Sequence, residues 1–487
     1  MENILLLFPI LLPLAGGIGS FFLHERRLRR IGVSVTVIAT FLCALGVCFL
    51  PQASLTLWDI GGSLAIRLFV DEMSRFFLML VSLLWVLAAF FAFEYMQHEE
   101  NEERFFGFFT MTLGVLMGIG LSANLLTLYF FYELMTLITL PLVIHTGSKE
   151  AIAAGLKYLG YSTFGAGLAL IGFFILNYYC TSTAFSAGGT LAMPLVRENE
   201  NLLFAVWLMM MVGFGAKAGM LPLQAWLPTA HPVAPAPASA VLSGLITKAG
   251  VMAIIRVTFY LFGAEFLKGS WAQTVLIVLA LATVFAGSML AYKEKVLKKR
   301  LAYSTVSQVS YVLFGLFLLN ATGFAGALLQ MVFHAVVKNL LFLSAGAIIY
   351  KTGKTDVRQL TGIGKEMPIV LWCFAIGSLS LIGIPPTAGF VSKWYLAQGG
   401  LSEYGVLGIV GAAVLLVSAL LTAGYLMPIV TRGFFPGSDF DYEHLEKIEP
   451  SRLMTVPLML LAAAAVVLGI FPAGLTDFVS SVAAALM

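Results

Sequence analysis

Charged residues are scarce in this sequence: aspartate, glutamate, lysine and arginine together make up 11% of its 487 residues. Soluble domains carry about 25% charged residues, whereas 60% of this chain is hydrophobic. This composition excludes an ordinary water-soluble globular fold. It predicts an all-α polytopic membrane protein instead, and we expect no nucleic-acid partner.

Cysteine is also rare, with four residues and neither a CxxC spacing nor a cysteine–histidine metal pattern. Most of the cysteines lie in apolar runs, where a cysteine usually acts as a small hydrophobic residue. The sequence lacks motifs for an iron–sulfur cluster, haem attachment, a nucleotide or a flavin. We therefore expect no cofactor and no metal in this chain, and any redox chemistry must belong to another subunit.

No basic segment precedes the first apolar run, which covers about residues 3–23, whereas four arginines follow it. A cleaved signal peptide has the opposite order. The run therefore predicts a first transmembrane helix that is retained in the mature protein.

Apolar runs of about 18–28 residues recur along the whole chain. They predict about fourteen transmembrane helices, with centres near residues 13, 41, 84, 113, 134, 164, 215, 249, 282, 311, 336, 382, 417 and 466. Most of the 28 lysines and arginines lie in the loops after odd-numbered helices. Because cytoplasmic loops are rich in these residues, both termini are predicted on the non-cytoplasmic side of the cell inner (cytoplasmic) membrane.

Two of the apolar runs are interrupted by proline, and each carries a lysine. The first, GFGAKAGMLPLQAWLPTAHPVAPAPASA, holds Lys217 five residues before Pro222. The second, LSLIGIPPTAGFVSKWYL, holds Lys393 seven residues after Pro386. Proline breaks a helix, and irregular backbone survives at membrane depth only inside protein or beside water. The runs predict broken helices 7 and 12 in corresponding positions of two five-helix repeats, helices 4–8 and 9–13.

This repeat divides the chain into four predicted regions. They are residues 1–103 with helices 1–3, residues 104–263 with the first repeat, residues 264–432 with the second repeat, and residues 433–487 with helix 14.

Six ionisable residues fall deep inside predicted helices. They are Glu133, Lys217, Lys248, His334, Lys338 and Lys393. A charge at the centre of a membrane helix costs about 2.5–3.5 kcal/mol on insertion scales, so the set costs on the order of 10–20 kcal/mol before pairing. Residues with this cost are usually functional.

We interpret these residues as a row that passes protons along the membrane. Glu133 and Lys217 form the predicted switch pair, because a nearby carboxylate holds a lysine charged and separation lets the lysine discharge. Lys248, His334 and Lys338 form a relay, with Lys393 as the last group. His334 and Lys338 are four residues apart and share one helix face. Predicted helix 10 adds a polar face that could hold water, with Ser304, Ser307, Gln308 and Tyr311.

Structural roles remain as alternatives for several residues. Glu133 and one lysine could be a static ion pair that fixes helix packing. His145 is expected at the cytoplasmic edge of predicted helix 5, either as an interfacial residue or at the mouth of a proton path. His231 either caps the proline-rich loop or takes part in proton transfer. Arg256 is expected to extend from the end of its helix to the membrane surface, as is Lys157 at a helix start.

Several of these stretches resemble the antiporter-like proton-translocating family of complex I, Mrp antiporters and group 4 membrane-bound hydrogenases. The matching motifs are FFYELMTL, KAGMLPLQAWLPTAHPVAPAPASAVLSG, ITKAGVMAIIRV, LAYSTVSQ, FHAVVKNLLFLSAG and GIPPTAGFVSKW. The resemblance implies fourteen core helices with inverted five-helix repeats. It implies that Glu133 and Lys217 match the family's coupling pair, that Lys248, His334 and Lys338 match its central relay, and that Lys393 matches its terminal lysine.

The resemblance implies a proton-translocating subunit of a multisubunit redox-driven pump, with other membrane subunits and a peripheral redox module as partners. An alternative is the D component of an Mrp-type Na+/H+ antiporter, which chain size and Lys393 favour. The run TAHPVAPAPASAVLSG favours hydrogenase-linked and complex I-like members instead. A third alternative is a structural membrane subunit that conducts nothing. The motifs leave open whether the ion is H+ or Na+.

Overall fold

The computed structural model describes residues 3–61, 64–438, 442 and 445–487, and these are called the described residues below. They are mostly helical. The longer helices are α1 Phe8–Ser20, α2 Arg26–Cys48, α3 Glu72–Tyr95, α4 Glu102–Leu121, α5 Leu125–Val143, α6 Lys149–Tyr179, α7 Glu200–Ala218, α8 Leu227–Val233, α9 Ala236–Phe262, α10 Trp271–Lys293, α11 Leu297–Phe317, α12 Ala321–Thr352, α13 Pro368–Ile382, α14 Ala388–Glu403, α15 Gly405–Phe434, α16 Arg452–Ile470 and α17 Ala473–Leu486.

Among the described residues, eleven helices are long and apolar enough to cross a membrane. A helix needs about 20 apolar residues to span a hydrocarbon core of about 30 Å. Each of the fourteen predicted centres lies within a helix. The prediction of a polytopic helical membrane protein is confirmed, while the number of spans, the four regions and the two repeats stay predictions.

Both predicted helix interruptions are confirmed, and both begin at a glycine with positive φ. α7 is followed by Gly219 at φ 80°, and α13 is followed by Gly383 at φ 92°. This left-handed conformation ends a helix cleanly and favours glycine, which has no Cβ. The prolines that follow the two glycines keep the chain from resuming the same helix.

α9 is entirely buried in the protein. It contains two π-helical segments, Leu242–Ile246 and Thr258–Phe262. π-Helical turns are frequent at functional sites. α9 approaches α7 so closely at Gly250 that an added Cβ would lie 2.8 Å from the carbonyl oxygen of Phe214. The absence of a side chain at Gly250 therefore permits this helix contact.

An antiparallel hairpin of β1 Ser54–Gly61 and β2 Leu64–Phe69 departs from the all-helical prediction. Two-stranded hairpins are marginally stable alone. Here the start of α5 holds the hairpin, because Asn124 Nδ2 donates to the Ala65 carbonyl at 2.7 Å and Arg67 N donates to Thr127 Oγ1 at 2.9 Å. Tertiary contacts thus stabilise a two-stranded hairpin that would be only marginally stable alone.

α17 was not predicted as a separate helix. It follows α16 after a short break and packs against α12, with Val479 and Val482 buried. Phe478 stacks on Phe76 of α3 with ring centroids 6.4 Å apart. The last apolar stretch is therefore split between two helices.

Candidate functional site

The predicted charged residues lie on α5, α7, α9, α12 and α14 in the interior of the protein. Lys217, Lys248, His334 and Lys338 are at most 1% exposed. Glu133 and Lys393 are partly buried. Burial of this many ionisable side chains is costly without polar partners, so the contacts of each group decide what it can do.

Lys217 lies in the last turn of α7 and contacts polar and aromatic groups of α5 and α6. Its Nζ donates a hydrogen bond to Thr136 Oγ1 at 2.5 Å. It also lies 4.9 Å from the ring centroid of Tyr132 and 5.4 Å from that of Tyr158. These rings stabilise a cation without removing its proton. Lys217 is therefore held by groups that do not form a fixed ion pair.

The predicted Glu133–Lys217 pair is not in direct contact. Among the described residues, no ion pair within 4.0 Å joins the two side chains. Glu133 lies one turn before Thr136 on α5, and its Oε1 is buried without a hydrogen-bond partner among the described residues. A static ion pair that fixes helix packing is therefore absent from this conformation. Thr136 is the direct hydrogen-bond partner of Lys217 instead.

Lys248 and His334 are in direct contact across α9 and α12. Lys248 Nζ lies 2.5 Å from His334 Nδ1 and donates to the Ser243 carbonyl at 2.9 Å. A charged lysine can only donate, so Nδ1 accepts when Lys248 is protonated and the imidazole is neutral. Transfer of that proton produces a neutral lysine and an imidazolium. The geometry thus permits the exchange that the relay interpretation requires.

Lys338 lies one turn beyond His334 and faces α11. Its Nζ donates to the Leu301 carbonyl at 3.0 Å and to Ser304 Oγ. Ser304 in turn donates to the Leu301 carbonyl at 2.8 Å. The structure therefore brings Ser304 to the relay.

A small cavity with both polar and apolar walls lies between His334 and Lys393. Its volume is about 10 Å³, which is space for about one water molecule. Gln308 and Gln330 also line it, and Gln330 Nε2 donates to Gln308 Oε1 at 2.9 Å. Ser392 Oγ donates to Gln330 Oε1 at 2.6 Å. The row can therefore continue from α12 to α14 through amide and hydroxyl groups.

Lys393 reaches back across the second helix break. Its Nζ donates to the carbonyl oxygens of Leu381 and Ile382, each at 2.7 Å. These carbonyls belong to the last turn of α13, where helix carbonyls lack helical partners and the helix dipole favours a cation. Lys393 also lies 5.2 Å from the ring centroid of Tyr311. Lys393 therefore provides hydrogen-bond donors for the end of α13 at the broken helix.

Ser307 does not contact the relay lysines. Its hydroxyl bonds to Ser288 at 2.8 Å and to Ser418 at 3.3 Å, and it donates to the Val284 carbonyl at 2.9 Å. These partners lie on α10 and α15. Ser307 therefore links three helices in this structure, and of the two predicted serines Ser304 is the one that contacts a lysine of the predicted row.

His231 is fully buried in α8, and its ring stacks on Phe342 with centroids 4.8 Å apart. Neither ring nitrogen has a hydrogen-bond partner among the described residues. A cap of the proline-rich loop by this side chain is therefore absent. Phe342 also lies 6.0 Å from Lys338 Nζ, which places His231 beside the relay without direct contact.

His145 lies in the loop after α5 and is buried, with its ring packed edge-on against Phe105 at 5.5 Å. Burial and the Arg104 guanidinium lower the pKa of His145 to about 4. The side chain is consequently neutral near pH 7. This favours a structural position at the edge of the protein over proton uptake at a mouth.

The predicted surface position of Arg256 is wrong. Arg256 is fully buried and donates to both carboxylate oxygens of Asp71, at 2.5 and 2.7 Å. Burial alone would raise the pKa of Asp71, but the Arg256 charge and hydrogen bonds lower it to about 2. A hydrophobic run cannot reveal a partner 185 residues away, which is why the sequence predicted a residue reaching the surface. Lys157, with the same prediction, is partly exposed.

Sequence reasoning missed Thr136, Gln330 and Ser392 as members of the site. All three are neutral polar residues, and neutral side chains in an apolar run carry no large insertion cost to mark them. A search for polar residues on the helix face that carries each predicted charged residue could have found some of them. Thr136, for example, lies three residues after Glu133.

No metal site is evident in the part of the chain that the structure describes, since no three His, Cys, Asp or Glu residues cluster there. The buried donors along the row are lysines, a histidine, amides and hydroxyls. Lysine and histidine side chains bind and release protons, and amides and hydroxyls can hold water between them. The row therefore has the chemistry that proton transfer requires.

These features define a membrane protein with a buried polar row. The sequence matches the family described as "NADH:quinone oxidoreductase/Mrp antiporter, TM" over residues 122–422. Residues 59–106 match "NADH-Ubiquinone oxidoreductase (complex I), chain 5 N-terminus". The first match covers more than half of the chain, and the chain belongs to this antiporter-like membrane subunit family.

Curated relatives come from three kinds of complex. The chain is 32% identical to the N component of NADH-quinone oxidoreductase from Desulforudis audaxviator, over 83% of this chain and 82% of that protein. It is 30% identical to the D component of the Na(+)/H(+) antiporter from Alkalihalophilus pseudofirmus, over 96% and 94% of the two chains. It is 31% identical to hydrogenase-4 component B of Escherichia coli, over 82% of this chain and 62% of that protein.

Solved structures share the fold. A chain of the Mrp complex from Dietzia sp. superposes with a TM-score of 0.85 at 22% identity, covering 99% of this chain and 97% of that chain. A chain of respiratory complex I from Thermus thermophilus superposes with a TM-score of 0.83 at 23% identity, covering 99% and 100%. At these identities the likeness establishes the fold alone.

Proposed function

We propose that this chain is the ion-translocating membrane subunit of a multisubunit complex and moves protons along its buried row. The observation that carries the proposal is the contact of Lys248 Nζ with His334 Nδ1 at 2.5 Å, with a small cavity between His334 and Lys393 that Gln308 and Gln330 also line. Two buried bases in contact can share a proton, and the two amides provide polar groups between His334 and the next lysine.

The row begins at Lys217 and ends at Lys393. When Glu133 and Thr136 rearrange, they stabilise the Lys217 ammonium group less. Its proton then moves towards Lys248. Lys248 passes a proton to His334, and the Gln308–Gln330 cavity connects His334 to Lys393. Lys338 is held by Ser304 and lies one turn from His334. Its positive charge disfavours simultaneous protonation of Lys248 and His334, and so favours onward transfer of the proton.

The driving reaction lies in partner subunits. Relatives of this chain are components of NADH-quinone oxidoreductase, Na(+)/H(+) antiporters and hydrogenase-4. We propose membrane partner subunits and a peripheral redox module, with no cofactor bound to this chain. We place the protein in the cytoplasmic membrane with both termini on the non-cytoplasmic side, because its lysines and arginines concentrate in alternate loops.

The test is proton pumping by the complete complex in inverted membrane vesicles. Lys248→Met should reduce pumping at least tenfold, while assembly of the complex is unchanged. Lys157→Met serves as the matched control, because Lys157 is partly exposed and lies outside the row. Normal coupled pumping by Lys248→Met would contradict the relay, and would favour a structural subunit that conducts nothing.

A second candidate function is that of the D component in a Na+/H+ antiporter. The alignment with the Alkalihalophilus pseudofirmus antiporter protein, which extends over 96% of this chain, supports it. In that case, collapse of a pH gradient in vesicles should require added Na+. Equal rates with Na+ and with a large organic cation would favour the redox-driven pump.

A further inference from the structure

A cavity with two charged residues in its wall lies at one end of the helices, beside the first helix break. Its volume is about 220 Å³, which is space for several water molecules. Thr146 and Thr355 line it at exposed positions, Glu99 is half-buried, and Lys298 is buried. Water can therefore enter from the exposed side and reach a buried lysine.

The cavity lies on the face of the protein that is predicted to be cytoplasmic. Thr146 follows α5, Val296 precedes α11, and Thr355 follows α12. These residues belong to loops that are rich in lysine and arginine, which is typical of the cytoplasmic side of a membrane protein. The exposed side of the cavity thus faces the water from which a proton pump of this orientation takes its protons.

Lys298 is a buried cation without an ion-pair partner. Among the described residues, no carboxylate lies within 4.0 Å of its Nζ, which donates instead to the carbonyl oxygens of Pro232, at 3.3 Å, and Ala234. The adjacent Lys299 is more exposed and pairs with Glu294 at 2.9 Å. Burial disfavours the charged form of a lysine, and only a close carboxylate opposes that effect fully. Lys298 is therefore free to release a proton, whereas Lys299 is not.

His231 lies next to the segment that Lys298 contacts. Pro232 and Ala234 follow it by one and three residues, and the charges of Lys298 and Lys338 both act on its ring. Both ring nitrogens are buried without a hydrogen-bond partner among the described residues. Buried polar atoms are rarely left unpaired, and such atoms mark a place for water or for a transferred proton. His231 thus lies near a lysine of the cavity and a lysine of the relay.

Glu99 adds a carboxyl group to the cavity wall. Burial raises the pKa of Glu99, and the positive charges of Lys298 and His98 oppose this rise. Because the net shift is upward, Glu99 keeps its proton to a higher pH than an exposed glutamate does. The wall therefore combines an acid near the exposed side with a base that is buried.

We propose that this cavity is a proton entrance to the row and that Lys298 carries protons from it to His231. The neutral amine of Lys298 accepts a proton from a hydronium ion in the cavity, which leaves a water molecule. The ammonium then gives that proton to a ring nitrogen of His231, and the imidazolium passes it on to Lys338. This inference rests on the proposed proton transport, to which it adds a further proton-carrying lysine.

Substitution of two adjacent lysines tests the role of Lys298, with proton pumping by the complete complex measured in inverted membrane vesicles. Lys298→Arg keeps donors for the Pro232 and Ala234 carbonyls, but arginine does not release its proton in proteins. Pumping should therefore fall at least tenfold while the complex assembles normally. Lys299→Arg is the matched control and should pump within about twofold of the wild type. Wild-type pumping by Lys298→Arg would overturn the proposal.

Access to the cavity is tested independently of Lys298. In a complex with alanine at the four native cysteine positions, Ile349→Cys puts a thiol in the cavity wall on α12. A membrane-impermeant methanethiosulfonate reagent with a trimethylammonium group should label this thiol from the cytoplasmic face and lower pumping at least fivefold. Thr431→Cys, at an exposed position near the end of α15, should be labelled from the same face without loss of pumping.

The outcomes separate the entrance from the transport function. A wild-type complex that does not pump protons would contradict the proposed function, and the entrance with it. If the wild type pumps, failure to label Ile349→Cys from the cytoplasmic face, or labelling without loss of pumping, would overturn the entrance alone. If Lys298→Arg does not assemble, Lys298→Gln keeps a donor for the carbonyls in a smaller side chain that carries no proton, and the same loss of pumping is expected.

Discussion

The two broken helices use a lysine in opposite ways. Both breaks start at a glycine with positive φ, Gly219 and Gly383, and continue with proline. At the first break, Trp226 Nε1 donates to the Ala216 carbonyl at 2.7 Å, and Lys217 is left to contact Thr136. At the second break, Lys393 itself donates to the last carbonyls of α13.

This difference separates the chemical role of a lysine from its structural role. Lys217 has side-chain partners on neighbouring helices and contributes nothing to the end of its own helix. Lys393 satisfies two carbonyls that would otherwise be buried near a proline break, where unpaired groups cost about 1–3 kcal/mol each. Substitution at the two positions should therefore affect transport alike and stability differently.

The largest expected effect comes from Lys393→Met and Lys217→Met. Each should reduce proton pumping at least tenfold, which corresponds to about 1.4 kcal/mol or more in the transport barrier. Lys393→Met should also lower the free energy of unfolding by about 2 kcal/mol, because the Leu381 and Ile382 carbonyls lose their donor. Lys217→Met should leave stability unchanged or raised, since a buried charge is removed. Pumping assays and thermal unfolding of the same preparations measure both effects.

Arginine at each position sharpens this comparison. Lys393→Arg keeps a donor for the carbonyls and should retain stability, but arginine does not release its proton in proteins, so pumping should stay low. Equal losses of stability in Lys393→Met and Lys217→Met would contradict the structural role of Lys393.

Thr136→Val should have the next largest effect. It removes the hydroxyl that accepts from Lys217 at 2.5 Å while keeping a side chain of similar volume. A hydrogen bond to a charged group contributes about 1.5–3 kcal/mol, so pumping should fall about tenfold and its pH profile should shift. Thr110→Val is a matched control, since Thr110 is buried on α4 and its hydroxyl has no hydrogen-bond partner among the described residues. An unchanged pH profile in Thr136→Val would favour a direct Glu133–Lys217 contact during transport.

Trp226→Phe tests the cap of the first break. It removes the indole N–H that bonds the Ala216 carbonyl and keeps an aromatic ring beside Tyr158. The free energy of unfolding should fall by about 1 kcal/mol, with pumping within about twofold of the wild type. A large loss of pumping with unchanged stability would mean that the first break, like the second, combines capping with transport.

The smallest effect is expected at His145, outside both breaks. Burial and Arg104 lower its pKa to about 4, from an ordinary value near 6.5. The folded state binds its proton less well than the unfolded state, so His145 costs stability as the pH falls below about 6.5 towards 4. His145→Gln should weaken this loss without changing stability at about pH 8. Thermal unfolding of the wild type and of His145→Gln between about pH 4 and pH 8 measures this effect. It also gives a reference for the stability changes of the variants at the two breaks.

The fold was largely predictable because membrane helices are marked by local composition. Runs of apolar residues predicted the centres of the long helices, and proline predicted both interruptions. The β-hairpin was missed because its strands are short and are held by Asn124 and Thr127 of another segment. α17 was missed because the apolar run hides the break before it.

The site was predictable in part. An ionisable residue in an apolar run has an insertion cost that can be read at that position alone, which located all six charged residues. Their partners could not be read in the same way, because a partner depends on helix rotation and on packing between distant segments. Lys217 bonds to Thr136, 81 residues earlier, and Arg256 bonds to Asp71.

The sequence by itself thus determined a helical membrane protein of the antiporter-like family, its two broken helices and the positions of its buried charges. These features follow from hydropathy, proline stereochemistry and motif order, which are local properties. Only the tertiary structure decided that Lys393 caps a helix end, that Glu133 and Lys217 are not in contact, and that Arg256 pairs with Asp71. Those outcomes depend on distances between helices, which close packing sets through the whole chain.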